Sequence, residues 1–284
     1  MLARIVSLTL TLLLVPRPTA AQLFVGADAT YATRYVWRGL SRVSSPVLQP
    51  SAYLALGFGS SFLTGGAWWN VELERAAAYD HTLVGPGSRG AGETNLWLEY
   101  ATRRSYFDGR VGFWHYRLDD PRSSAGLPAR FSTTELYAAV STLHLPVLVR
   151  LSGWFDADRL QGVYYEMDAS YALGTHPLGE IVGSLFAGGR IGGSHGLSRA
   201  ADAAAKPFYF QRDGIAYYEL YAQLAFEPPL RRLPVVCNIT PRYEFARDPA
   251  ARRDSLDPAV RDRSSFFWLE IALSWRTRLA GNGL

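Results

Sequence analysis

Residues 25–38 alternate in character with period two. Val25, Ala27, Ala29, Tyr31, Tyr35 and Trp37 are apolar or aromatic, whereas Gly26, Asp28, Thr30, Arg34 and Arg38 are small, polar or charged. Such alternation describes a strand with two unlike faces. The run is also long, since strands of globular proteins average about 5–6 residues. The same alternation recurs over 48–58, 63–74, 94–101, 110–118, 132–143, 147–156, 162–173, 180–191, 215–227, 235–245 and 266–276. In 110–118 and 180–191 it leaves open which face is which. Pro50 sits inside one run and predicts a bulge or a strand end there, because proline cannot donate to a ladder.

The connections between these runs sort by length. Odd-numbered ones are mostly long, such as 75–92 and 192–214, and rich in Gly, Pro, Ser and charge; the even-numbered ones are short. The connection 157–161 is the short exception among the odd ones. A sandwich has no reason to sort its loops in this way. A transmembrane barrel does, with short periplasmic turns, long outer loops and an even number of antiparallel strands. The expected fold is therefore all-β: an antiparallel transmembrane β-barrel of about 12 strands in up-and-down topology.

The first 21 residues read as an export signal, with Arg4 before an apolar stretch over 5–15, Pro16 ending it, and small residues at 19–21. The apolar stretch is too short to span about 30 Å of hydrocarbon as a helix. The expected organisation is a signal peptide at 1–21, a barrel at 22–276 and a short tail at 277–284, in the outer membrane of a Gram-negative bacterium. Mean hydropathy is -0.03, which excludes a helical membrane protein and leaves the barrel untouched. Cys237 is the single cysteine, so no disulfide framework or cysteine-based zinc site is expected. The formal charge is +4, from 29 basic and 25 acidic residues. Arginines lie interleaved with acids rather than clustered, so no nucleic-acid partner is expected. The partners implied are outer-membrane lipids and small polar solutes.

In a barrel the apolar face meets lipid and the polar face lines the lumen. The polar rows supply the lumen candidates Arg34, Arg38, Glu72, Glu99, Arg117, Glu135, Arg150, Glu166, Glu219, Arg242 and Glu270, joined by Asp168 and Arg190. Tyr35, Trp37, Trp69, Tyr100, Tyr171 and Trp275 fall on the apolar rows, as an interfacial aromatic girdle requires. Trp68, Trp97, Trp154 and Trp268 fall on the polar rows. They either pack the lumen or form an aromatic slide for sugars. Pairing of the first strand with the last brings Arg34 and Arg38 toward Glu270, with Gln49 and Glu72 nearby. The bland account is a charge cluster that holds the closure seam; the sharper one is a selectivity-setting constriction.

The run Tyr35-Val36-Trp37-Arg38-Gly39-Leu40-Ser41, followed by Pro46-Val47-Leu48-Gln49, resembles the opening hairpin of the TorF-type porins of Gram-negative bacteria. The resemblance covers that hairpin and implies a barrel acting as a passive channel. Outer-membrane barrels commonly end on an aromatic residue. Here residues 276–284 follow Trp275, so either Trp275 serves as an internal signal or the final strand lies further on.

Catalytic chemistry leaves little trace. No Gly-x-Ser-x-Gly, His-Glu-x-x-His or glycine-rich phosphate loop occurs. Ser194-His195 and Ser141 with His144 are neighbours only in sequence. The expectation is a porin-like channel without catalytic residues, metal or cofactor. Its alternatives are a closed structural or adhesive barrel working through its outer loops and, after that, an outer-membrane hydrolase.

Overall fold

The computed structural model describes residues 21–43, 45–73, 91–119, 130–158, 161–178, 181–197, 210, 212–228, 234–248 and 265–280. The predicted signal, apart from Ala21, lies outside them, as do residues 281–284. Among the described residues fourteen strands follow in chain order: β1 (Gln22–Ala32), β2 (Tyr35–Trp37), β3 (Leu40–Val43), β4 (Val47–Phe58), β5 (Ser61–Glu72), β6 (Ala91–Arg103) and β7 (Phe107–Asp119). Then come β8 (Arg130–Thr142), β9 (Val147–Asp156), β10 (Val163–Leu178), β11 (Ile181–His195), β12 (Gly214–Phe226), β13 (Val235–Ala246) and β14 (Ser265–Ala280). Twelve of them close into one antiparallel barrel in which β1 is flanked by β4 and β14. The remaining two, β2 and β3, form a separate hairpin.

Every barrel strand corresponds to one alternating run of the sequence. The run at 25–38 is the one that misleads. β1 stops at Ala32, and the residues beyond it leave the wall. Pro50 neither bulges nor ends β4. It keeps its place opposite Ala29, and pairing with β5 lapses at 49–50 without a change of register. The predicted tail begins too early, because β14 continues to Ala280 opposite Leu23.

The strand ends at 58 and 61, 103 and 107, 142 and 147, 178 and 181, and 226 and 235 lie at one end of the barrel, with Gln22 and Ala280. That end is periplasmic, and the opposite ends of the strands form the outer mouth. Registers place 48, 54, 63, 98, 113, 136, 220 and 267 on outward rows. These large apolar side chains are all exposed, with Leu136 at 54%, Leu220 at 59% and Phe267 at 60%. An apolar surface of that extent seeks lipid, not water. The chain is thus a bacterial outer-membrane barrel. The facing left open by sequence is settled by register: Arg110, Gly112, Trp114 and Tyr116 point inward, as do Phe186, Gly188, Arg190 and Gly192.

Inward glycines make room for inward tyrosines. The Tyr221 ring lies over Gly188 of the neighbouring strand, and the Tyr217 ring over Gly192; a methyl group at either glycine would overlap the ring. The aromatic side chains then stand across the wall instead of into the lumen. Gly188→Ala is expected to lower unfolding free energy by about 1–3 kcal/mol through overpacking. The added substitution Tyr221→Ala should recover only the part due to the ring, because the Ala169 carbonyl also lies 2.8 Å from the new methyl group, as read by urea unfolding of refolded protein followed by tryptophan fluorescence.

Candidate functional site

The site begins where β1 ends. The Thr33 amide donates to the Leu269 carbonyl at 3.0 Å, and the Leu269 amide donates back to the Thr33 hydroxyl at 3.0 Å. This clamps the chain to β14 and sends the next residues across the mouth. Residues 35–43 then form a hairpin with a two-residue turn at Arg38-Gly39, with φ of 53° and 74°. Positive φ at both central residues defines a type I′ turn, whose twist matches that of paired strands. Glycine suits the second position, and its missing side chain is needed again because the Tyr217 ring presses on it. Arginine at the first position costs about 1–2 kcal/mol of backbone strain.

Val36, Trp37, Leu40 and Val43 are apolar or aromatic, and an outward hairpin would leave them in water. Inside the mouth they are covered. Leu40 packs among Tyr164, Tyr217, Phe266 and Trp268, together with Leu197 and Phe210 from the connection between β11 and β12. Val43 packs with Ala32, Tyr35 and Val47 at the near wall. The Tyr35 hydroxyl donates to Glu93 on β6 at 2.8 Å, and Arg34 donates to the Ser41 hydroxyl at 3.2 Å.

Arg38 at the tip reaches the far wall. Its Nη1 and Nη2 donate to the two oxygens of Glu135 on β8 at 2.8 and 2.5 Å, and Nη2 also donates to the Tyr116 hydroxyl at 3.2 Å. Four rings surround the guanidinium: Trp37 at 4.3 Å, Tyr164 at 4.6 Å, Trp154 at 4.9 Å and Tyr116 at 5.8 Å. The side chains of Arg38 and Glu135 are only 7% and 1% accessible. Burial alone would lower the arginine pKa. The Glu135 carboxylate, together with the Tyr116 and Tyr164 oxygens, outweighs it, and the net displacement is upward.

Below the hairpin lies a second polar system on the wall from β10 to β14. Arg190 sits 3.3 Å from Glu166 and 3.2 Å from Asp168. Arg242 bridges Glu219 at 2.5 Å and Glu270 at 2.8 Å, and the Trp268 indole donates to Glu270 at 2.9 Å. On the opposite wall Arg110 pairs with Glu99 at 3.2 Å and Asp108 at 2.8 Å, and Arg150 donates to the Tyr137 hydroxyl. Glu72 ends β5 on its inward row, opposite Val47.

Three expectations from sequence are corrected here. Arg38 does not reach the closure seam or Glu270; it crosses the lumen to β8, and Glu270 is engaged by Arg242. Arg34 likewise lies outside β1, against the Phe266 ring at 5.2 Å. Tyr35 and Trp37 are not girdle residues, because their strand is in the hairpin: Tyr35 packs on Trp68 at 5.8 Å and Trp37 edge-on against Tyr116 at 5.9 Å. Arg117 does not line the lumen. It pairs with Thr94 and Ser132 on outward rows and is exposed near the outer rim, where a charge costs little. Trp69, Tyr100, Tyr171 and Trp275 do lie on outward rows.

All four polar-row tryptophans face inward, and so does Trp114, hidden in sequence among four consecutive aromatic residues. Trp97 stacks on Trp114 at 5.6 Å and Trp114 on Tyr116 at 6.2 Å; on the other side Tyr137, Trp154 and Tyr164 follow at 5.0 and 5.2 Å. Both series end at the Arg38 cage. Ser194 and His195 point to opposite faces of β11. The serine hydroxyl donates to the Arg212 carbonyl, and His195 lies 3.2 Å from Asp213. No group of three His, Cys, Asp or Glu side chains able to hold a metal occurs among the described residues.

No protein-family model matches the chain. No curated protein matches it either. Solved outer-membrane barrels do match. LpxR from Salmonella typhimurium shares 9% identity at a TM-score of 0.49, over 88% of this chain and 99% of that one. The outer membrane phospholipase of Salmonella typhi, solved as a dimer with bound calcium, shares 14% at 0.38, over 93% and 92%. OmpT of Vibrio cholerae shares 8% at 0.34, over 92% and 99%.

Removing one partner of a buried ion pair strands the other charge, at about 3–5 kcal/mol. Glu135→Gln should therefore release the hairpin. Limited proteolysis of refolded protein should show cleavage within 35–43 that wild type resists, whereas Arg38→Met with Glu135→Leu should remain as resistant as wild type.

Proposed function

We propose that the protein is a gated outer-membrane channel for small polar solutes, closed at its outer mouth by the β2–β3 hairpin. The observation that carries this reading is the contrast along the lumen. Arg38 and Glu135 are sealed, but below them Arg110 is 36% accessible, Arg190 28% and Glu270 27%. A barrel filled only for stability would bury or delete those charges, since unsolvated charge is expensive. Accessible charges of both signs line a wetted path and imply weak selectivity between small ions.

The closure is also of a separable kind. The hairpin adds no strand to the barrel and holds by side-chain contacts. The barrel ladders are complete without it. Non-catalytic function belongs to the same proposal, supported by the opposed directions of Ser194 and His195. The seal itself favours a second reading, in which the barrel stays closed and its outer loops do the work.

Single-channel recording in planar bilayers separates the two. Wild type is expected to be mostly closed, and replacement of 35–43 by a short Gly-Ser bridge should raise conductance several-fold. Folded, heat-modifiable protein that stays silent after this replacement would overturn the channel.

A further inference from the structure

Arg38 is held as a bound ligand would be. Apart from Trp37, every group that holds it belongs to the barrel wall. Glu135 meets it with both oxygens at 2.8 and 2.5 Å, Tyr116 accepts a further hydrogen bond, and Tyr164 and Trp154 turn their rings to it at 4.6 and 4.9 Å. A carboxylate fork matched to a planar cation, with aromatic faces around it, is the chemistry that recognises a guanidinium. An ammonium, compact and strongly hydrated, fits such a cage less well.

The surroundings favour a cation as well. Among the described residues, four carboxyl groups at the outer ends of their strands, those of Glu93, Glu135, Asp156 and Glu244, are buried. Such a mouth draws cations toward the cage and repels anions.

We infer that the Glu135 cage is the recognition site for a guanidinium-bearing solute, and that Arg38 is its tethered stand-in. The inference rests on the channel reading and names the solute class that opens it. A solute guanidinium takes the place of Arg38 on Glu135 and between Tyr164 and Trp154. The hairpin then loses the Arg38 link to that carboxylate, and the mouth opens to the ligand that opened it. Tethering gives Arg38 a high effective concentration, so the solute must be abundant or arrive with added contacts of its own.

The test uses the full refolded chain in detergent, with n-butylguanidine as probe and n-butylamine as the ammonium control. Binding is read by tryptophan fluorescence and by the shift in thermal midpoint. Arg38→Ala empties the cage, and it is expected to bind n-butylguanidine at least tenfold more tightly than wild type and tenfold more tightly than n-butylamine. Adding Glu135→Gln should abolish both gains. Equal binding by wild type and Arg38→Ala, or no preference over n-butylamine, overturns the inference. Should Arg38→Ala not refold, Arg38→Lys keeps a cation in the cage without the fork. n-Butylguanidine should displace that lysine at a tenfold lower concentration than it needs against wild type, and equal concentrations overturn the inference. None of these readouts needs conductance. Preference for n-butylguanidine in a silent barrel strikes the channel and spares the cage, whereas conductance without that preference strikes the cage and spares the channel.

Discussion

One ion pair organises the outer half of this molecule. The chain leaves the wall at the end of β1, and Arg38 meets Glu135 on the far side of the lumen, so that their contact carries a loop from the seam to the far wall. Withdrawing both charges from water is costly, and only good geometry repays it. That geometry is supplied by the I′ turn, which aims the arginine; by the two-pronged carboxylate; and by the rings that close around the guanidinium. Take away one charge and leave the other, and the stranded charge works against the cover that the apolar residues of the hairpin seek. The hydrophobic contacts of Leu40 and Val43 hold the hairpin inside; the charge pair decides where its end lies.

The pair also divides the lumen. Above it, Leu40, Leu197, Phe210, Phe266 and Trp268 make a small apolar core of the kind found in soluble proteins. Beneath it, the wall returns to paired charges with partial access to water. An outer-membrane barrel is inside-out relative to a soluble domain, with lipid outside and polarity within. Here a short stretch of the interior has been turned back again. The transition is abrupt because aromatic side chains occupy the boundary, with the Tyr164 and Tyr217 hydroxyls 2.7 Å from each other and within 3.0 Å of one Glu166 oxygen, so that their two protons serve three contacts.

The barrel was legible from sequence because its physics repeats. Each strand must show one face to lipid and one to the lumen, so alternation alone locates Glu99, Glu135, Glu166, Glu219 and Glu270 on inward rows. The hairpin was not legible for the same reason. Tyr35 and Trp37 keep the alternation of β1, and period two cannot tell a wall strand from a hairpin strand that follows it two residues later. What distinguishes them is Thr33, which bonds to β14 and turns the chain, and Arg38-Gly39, whose tight turn has no place in a spanning strand. Tyr116, Trp154 and Tyr164 meet around Arg38 only through registers spread over four strands, which no local pattern encodes. Arg117 shows the complementary failure: a charge on an outward row is tolerated at the rim, so charge alone does not mark the lumen.

The hairpin follows β1, the first strand to be made, yet its partner Glu135 is 97 residues further along and its cover includes Phe266 and Trp268 on the last strand. Contacts so distant in sequence form late, after the loop-closure entropy of the intervening chain has been met. Residues 35–43 therefore have no lodging until the final strand has joined the first. During assembly the mouth stays open and the hairpin unhoused, and its entry marks a finished barrel. The order is the reverse of synthesis: what emerges near the beginning of the chain is the last to settle.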